Sequence, residues 1–98
     1  MGQAIMTMRF NKEKIESEGK YDIDKIKSTL DKRLSEGGVK QIEPEIYEGK
    51  IEFLLTEIVE YMDCEAIADN LSELTLKYGN ESNPYIEDAL ALRAEGRI

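Results

Sequence analysis

The sequence predicts an α+β fold, a small antiparallel sheet of two or three strands with four to five helices packed on it or beside it. Three observations lead there. "AIMTMRF", residues 4–10, alternates Met6, Met8 and Phe10 with Ile5, Thr7 and Arg9, the period of a half-buried strand. Apolar residues recur at helical spacing from Ile23 onward, and capping residues and glycines stand where such helices would start and stop. With 98 residues, 41% of them hydrophobic, the chain suffices for one domain, 1–98, over one modest core. Met1, Met6 and Met8 are all alternative starts, so residues 1–5 are set aside, as either a flexible N-terminal extension or a remnant of cloning.

After the first strand comes a short helical turn, with Asn11 as its cap, Phe10 and Ile15 at the positions of a hydrophobic staple, and Gly19 at its end. The device recurs at Asp22, where Tyr21 and Ile26 are the staple positions. There Ile23, Ile26, Leu30 and Leu34 form a stripe about 80° wide before Gly37, which suits a helix lying on one surface. "VKQIEPEIYEGK", residues 39–50, reads as two short strands joined by a turn at Pro44 and Glu45. The longest helix is expected at 51–62, where Ile51, Leu54, Leu55, Ile58, Val59, Tyr61 and Met62 cover an arc of about 160°.

If that helix ran straight through Cys64, then Ile67, Ala68, Leu71, Leu74 and Tyr78 would emerge on its opposite side, and one helix would need two cores. A break at Met62–Cys64 is therefore predicted. Asp63 would cap a second helix over 64–78, with Glu65 in its first turn and Cys64 on its buried side. "SNPYIEDALALRAEGRI" has the grammar of a terminal helix over 84–95: Ser82 or Asn83 as cap, Pro84 at the first position, Glu87 and Asp88 near the start, Arg93 near the end, then Gly96. "YGNESN", residues 78–83, is a polar loop in this reading.

The charge is unevenly placed. Residues 1–40 carry nine Lys or Arg against seven Asp or Glu, whereas residues 41–98 carry four against fourteen. Between Glu43 and Glu73 ten acids face one base, Lys50. Such a surface repels nucleic acid and anionic membranes and attracts basic partners. A helix-turn-helix reading of 65–93 meets the same objection, because a recognition helix beginning at Pro84 would bring Glu87 and Asp88 toward the phosphates. No apolar run of membrane-spanning length and no secretory start is present, so a cytoplasmic protein is expected, with Cys64 as a free thiol.

Several chemistries are disfavoured by composition. The chain has no histidine, hence neither the commonest general base near neutral pH nor the commonest transition-metal ligand. Cys64 stands between Asp63 and Glu65, which disfavour a thiolate. Gly37-Gly38 follows a helix rather than opening one, so it is a C-cap and not a phosphate loop. Glu57, Glu60 and Asp63, at i, i+3 and i+6, could hold Mg²⁺ with help from a second helix, and a Mg²⁺-dependent hydrolase is one alternative. Glu57-x-x-Glu60 also matches the first half of the motif of MazG-type nucleotide pyrophosphohydrolases. Their second half, Glu-x-x-Asp, does not occur downstream of Glu60, and the family is not assigned. No cofactor and no metal are predicted.

Two apolar residues stand out of place: Phe53 in the polar arc of the 51–62 helix, and Leu76 in that of the next. An exposed aromatic ringed by acids is a fit anchor for a basic protein. The expectation is therefore a small acidic binding module whose face, comprising Glu52, Phe53, Glu57, Glu60 and Asp63 with Leu76 on the following helix, docks on a basic partner. That partner could be a nucleic-acid-binding protein whose site is thereby blocked. Inhibitors, antitoxins, immunity proteins and phage counter-defence proteins share this profile of composition. The other alternative is a structural homodimer or adaptor subunit using Leu76 or a free strand edge near Met6–Phe10.

Overall fold

A computed structural model describes residues 2–19, 22–80 and 82–97, with Asn80 described for its backbone alone. The α+β class holds, but the sheet is larger than expected. It has five strands in the order β2-β3-β1-β4-β5, every neighbouring pair antiparallel.

The centre is β1 (Gln3–Phe10), in which Ala4, Met6, Met8 and Phe10 are buried and the residues between them are not. Gln3–Ile5 thus belong to the sheet, and the flexible extension expected over residues 1–5 is corrected for these three. β1 is paired on both sides, so it offers no free edge for a dimer. The helices α1 (Lys12–Glu18) and α2 (Ile23–Glu36) begin and end where their caps predict. Asn11 Oδ1 accepts from the Lys14 amide at 3.1 Å, Asp22 Oδ1 accepts from the Asp24 amide at 3.0 Å, and Gly19 takes the left-handed conformation. Tyr21, the expected staple residue, lies outside the described residues. α2 buries Leu30 and Leu34, and with 14 residues it is longer than the 51–62 helix, which had been expected to be the longest.

The two strands around Pro44 are present as β2 (Lys40–Glu43) and β3 (Ile46–Lys50). Then comes α3 (Ile51–Met62), followed by the predicted break. Asp63 closes α3 rather than capping its successor, and Cys64 is the N-cap of the single turn α4 (Glu65–Ala68). The thiol expected to be buried is exposed.

The second helix stops there. Residues 71–78, read as its continuation, form β4 (Leu71–Asn80), and 83–88, read as the start of the terminal helix, form β5 (Asn83–Asp88). Leu71, Leu74 and Tyr78 fit a helical period, yet Leu74, Leu76 and Tyr78 fit a strand equally, and pairing with β1 decides between them. Met6 stands opposite Leu76 and Met8 opposite Leu74, so the apolar faces of both strands coincide. Pro84 fits because β5 is an edge strand, where a residue without an N–H costs little. Tyr78 and Tyr85 stack across the hairpin, 5.7 Å between ring centroids. The remainder of the expected terminal helix is α5 (Ala89–Ala94), capped by Asp88, whose Oδ1 accepts from the Ala91 amide at 3.2 Å.

All strands place one set of side chains under the helical layer. Met6, Met8, Tyr47, Leu74 and Leu76 meet Leu30, Leu34, Leu54, Ile58, Tyr61 and Met62 there, and this is the single core. Ile5, Thr7, Ile46, Glu48, Thr75, Lys77 and Ile86 point the other way, where no helix among the described residues covers them. No helix among the described residues is long and apolar enough to cross a membrane.

Candidate protein-interaction surface

α3 lies over the sheet with Leu54, Glu57, Ile58, Tyr61 and Met62 buried. This is not the arc its apolar residues mark out: the helix is rolled by roughly 50°, so that Glu57 goes in and Leu55 and Val59 come out. Two contacts to α2 account for the roll. Phe53 is half-buried and lies directly over Gly37, in space that any side chain at that position would fill. Arg33 supplies the charge that Glu57 needs. Its Nη2 lies 3.2 Å from Glu57 Oε1 and 3.0 Å from Oε2, and the same nitrogen pairs with Glu60. Those two carboxylates raise the guanidinium pKa further above its ordinary value, the hydrogen bond to Glu60 contributing most. The Tyr61 hydroxyl is buried beside Glu57, and burial first, then the carboxylate, pushes its pKa upward. Tyr47 behaves likewise, through burial and the 3.0 Å hydrogen bond it donates to Asp31.

The residues expected to form one acidic docking face are therefore divided. Glu52 and Asp63 are exposed at the two ends of α3, and the Glu60 side chain is half-exposed while paired with Arg33. Glu57, at 5% exposure, cannot meet a partner, and Phe53 is no exposed anchor. Leu76, at 1% exposure, is core on β4 rather than a helix surface. The cation that Glu57 and Glu60 share is Arg33. Asp63 joins neither, and among the described residues no three acids or cysteines stand together as metal ligands.

An anchor of another kind takes the place of Phe53. Val59 is 56% and Leu55 38% exposed on the outward side of α3, in line with Glu52 and Asp63. Beside them a slot of about 100 Å³ opens between α3, β4 and α5. Leu55, Ile58, Val59, Ala89 and Leu92 form its walls, Leu76 its floor, and Glu87 the one charged group at its rim. A broader depression continues from Glu87 and Leu92 past Asp88 and Glu95. α5 is held against α3 by Arg93, whose Nε donates to the Met62 carbonyl at 3.1 Å and whose Nη1 lies 3.3 Å from Asp69. The slot is thus an apolar recess with Glu87 at its rim, and the depression beside it carries Asp88, Glu95 and Arg97.

Sequence reasoning missed Leu55, Val59, Leu92 and Glu87. Leu55 and Val59 read as core because they are apolar at helical spacing, and Glu87 reads as part of a helix. A signal was present in Phe53, for a large aromatic in the middle of the polar arc indicates that the buried arc is centred nearer to it than the apolar pattern suggests. Set against protein-family models, curated proteins and solved structures, the chain matches none of them.

Proposed function

We propose that this protein is an acidic binding module, not a catalyst, that docks on a basic surface of another protein through the outward side of α3 and the α3–α5 slot. The observation that carries this reading is the pair Leu55 and Val59, left exposed beside an apolar recess and bracketed by Glu52, Asp63 and Glu87. An apolar side chain of the partner fills the slot and supplies affinity, while its neighbouring Lys or Arg residues meet the acids and supply rate and specificity. The formal charge of −8 extends the attraction beyond the contact itself and makes it sensitive to salt. A partner with a basic nucleic-acid-binding groove fits this chemistry best, and occupying that groove would make the module an inhibitor.

Capture from lysate of the source cell tests it, with bound proteins eluted by rising salt and identified by mass spectrometry. Wild type should retain a basic protein that salt releases, while Val59→Lys and the double variant Glu52→Lys/Asp63→Lys should lose it. Equal retention by all three proteins would refute the surface.

A further inference from the structure

Two side chains beside the slot are arranged for a cation that this chain does not supply. Tyr85 and Glu87 stand two residues apart on β5, on the face shared with Leu76 and therefore on the helical side of the sheet. Tyr85 is nonetheless 68% exposed. Its ring is held in place from one side. It stacks on Tyr78 across the hairpin, and its edge passes over Gly79, where a Cβ would stand 3.1 Å from Tyr85 Cδ2. Gly79 also has a φ of +96°, which residues with a side chain rarely adopt, so that position needs glycine on two counts.

Tyr78 orients the second group as well. Its hydroxyl donates to Glu87 Oε1 at 2.8 Å and so keeps the carboxylate beside the stacked rings. Among the described residues no cation pairs with that carboxylate. Arg97, which lines the same depression, pairs with Glu95 at 3.7 Å, and Lys77 stands on the opposite face of the sheet. The ring stack by itself serves the hairpin. An unpaired carboxylate held next to its outer, exposed ring points to a ligand.

From this arrangement we infer that Tyr85 and Glu87 form a receptor for one arginine side chain of the basic partner, an inference that rests on the docking proposed above and names one group it recognises. The face of an aromatic ring attracts cations, and a guanidinium, being planar and weakly hydrated, stacks on it better than an ammonium does. The face of Tyr85 turned away from Tyr78 is left for it. Two residues of strand separate the Cα atoms of Tyr85 and Glu87 by about 6.7 Å, so a guanidinium lying on the ring turns an N–H edge toward the carboxylate. Asp88 and Glu95 deepen the negative potential around the site, against Arg97 alone. Receptor and slot share Glu87, which seats the arginine next to the apolar side chain that fills the slot.

The test is an NMR titration of the isotope-labelled full chain with N-acetyl-arginine amide at fixed ionic strength. Shift changes should centre on Tyr85 and Glu87, and arginine should bind about threefold more tightly than N-acetyl-citrulline amide, which has nearly the same shape without the charge. Tyr85→Leu and Glu87→Gln should each weaken arginine binding about threefold, while Tyr85→Phe, which keeps the ring, should bind as wild type does. The same spectra show that each variant is folded. Shifts spread evenly over Glu52, Asp63 and the other exposed acids would overturn the inference, as would equal binding of citrulline or undiminished binding by Tyr85→Leu and Glu87→Gln. The receptor and the docking fail separately. A basic protein retained from lysate equally by wild type and Tyr85→Leu would remove the receptor and keep the docking. Arginine bound at Tyr85, with no basic protein retained by wild type, would refute the docking and leave the receptor standing.

Discussion

Glu57 and Val59 stand two residues apart on α3 and occupy each other's expected place. The glutamate is 5% exposed and the valine 56%. On the inner side, a charge is tolerated because Arg33 reaches it from α2 and because Phe53 over Gly37 fixes how the helix is rolled. On the outer side, apolar surface is left bare beside a recess, where no core contact requires it. A residue's chemistry sets what it costs to bury or expose, and its neighbours decide whether that cost is met. For α3 the departure on the inner side has a structural cause, whereas the departure on the outer side has none within the chain, which is why the proposed docking is placed there.

The largest effect should come from breaking the inner side. Glu57→Lys would place a second cation against Arg33 under a buried helix face, and a loss of about 3 kcal/mol or more is expected in urea unfolding. Next in size is the response to alkali. Tyr47 and Tyr61 have folded pKa values above the unfolded value of about 10, so they keep their protons in the folded state while the unfolded chain releases them. Stability is fully present below pH 10 and is lost as pH rises beyond it, on the order of 1 kcal/mol per tyrosine by pH 11. Tyr47→Phe combined with Tyr61→Phe should flatten that decline, and a melting temperature as steep in pH as wild type's would contradict the assignment. Smaller still, Lys50→Asp should gain about 1 kcal/mol, because the N-cap of α3 is a lysine with no capping hydrogen bond. That gain would stiffen the helix without touching either side. The smallest change in stability should be that of Val59→Lys, within about 0.5 kcal/mol of wild type. Large destabilisation there would mean that Val59 is core after all and would dissolve the comparison.

How far the sequence could be read depended on whether short-range signals were decisive. Asn11, Gly19, Asp22 and Gly37 act within a turn of themselves, and each marks a helix end where it was expected. The Pro44-Glu45 turn and the break after Met62 were legible for the same reason. β4 was not, because "LSELTLKY" satisfies both periods and the choice lies with β1, more than sixty residues earlier in the chain. Leu76 was the clue. An apolar residue in the wrong arc of a supposed helix was in the right alternation for a strand, and the misfit attributed to function belonged to secondary structure. Pro84 was ambiguous in a related way, since the first turn of a helix and an edge strand tolerate it equally. For the candidate surface, the acids Glu52 and Asp63 and the local excess of negative charge were legible in composition. The slot was not, because it exists only where β4, α3 and α5 meet.

Gly37 sets a limit on how this protein can vary. Its backbone angles are ordinary, φ −84° and ψ 6°, and any amino acid could adopt them. Its want of a side chain serves the ring of Phe53. In a saturation library, positions 37 and 53 should therefore behave as one inherited unit. Larger residues at 37 would survive only alongside a smaller residue at 53, and that exchange would unlock the roll of α3 and with it the outward presentation of Leu55 and Val59.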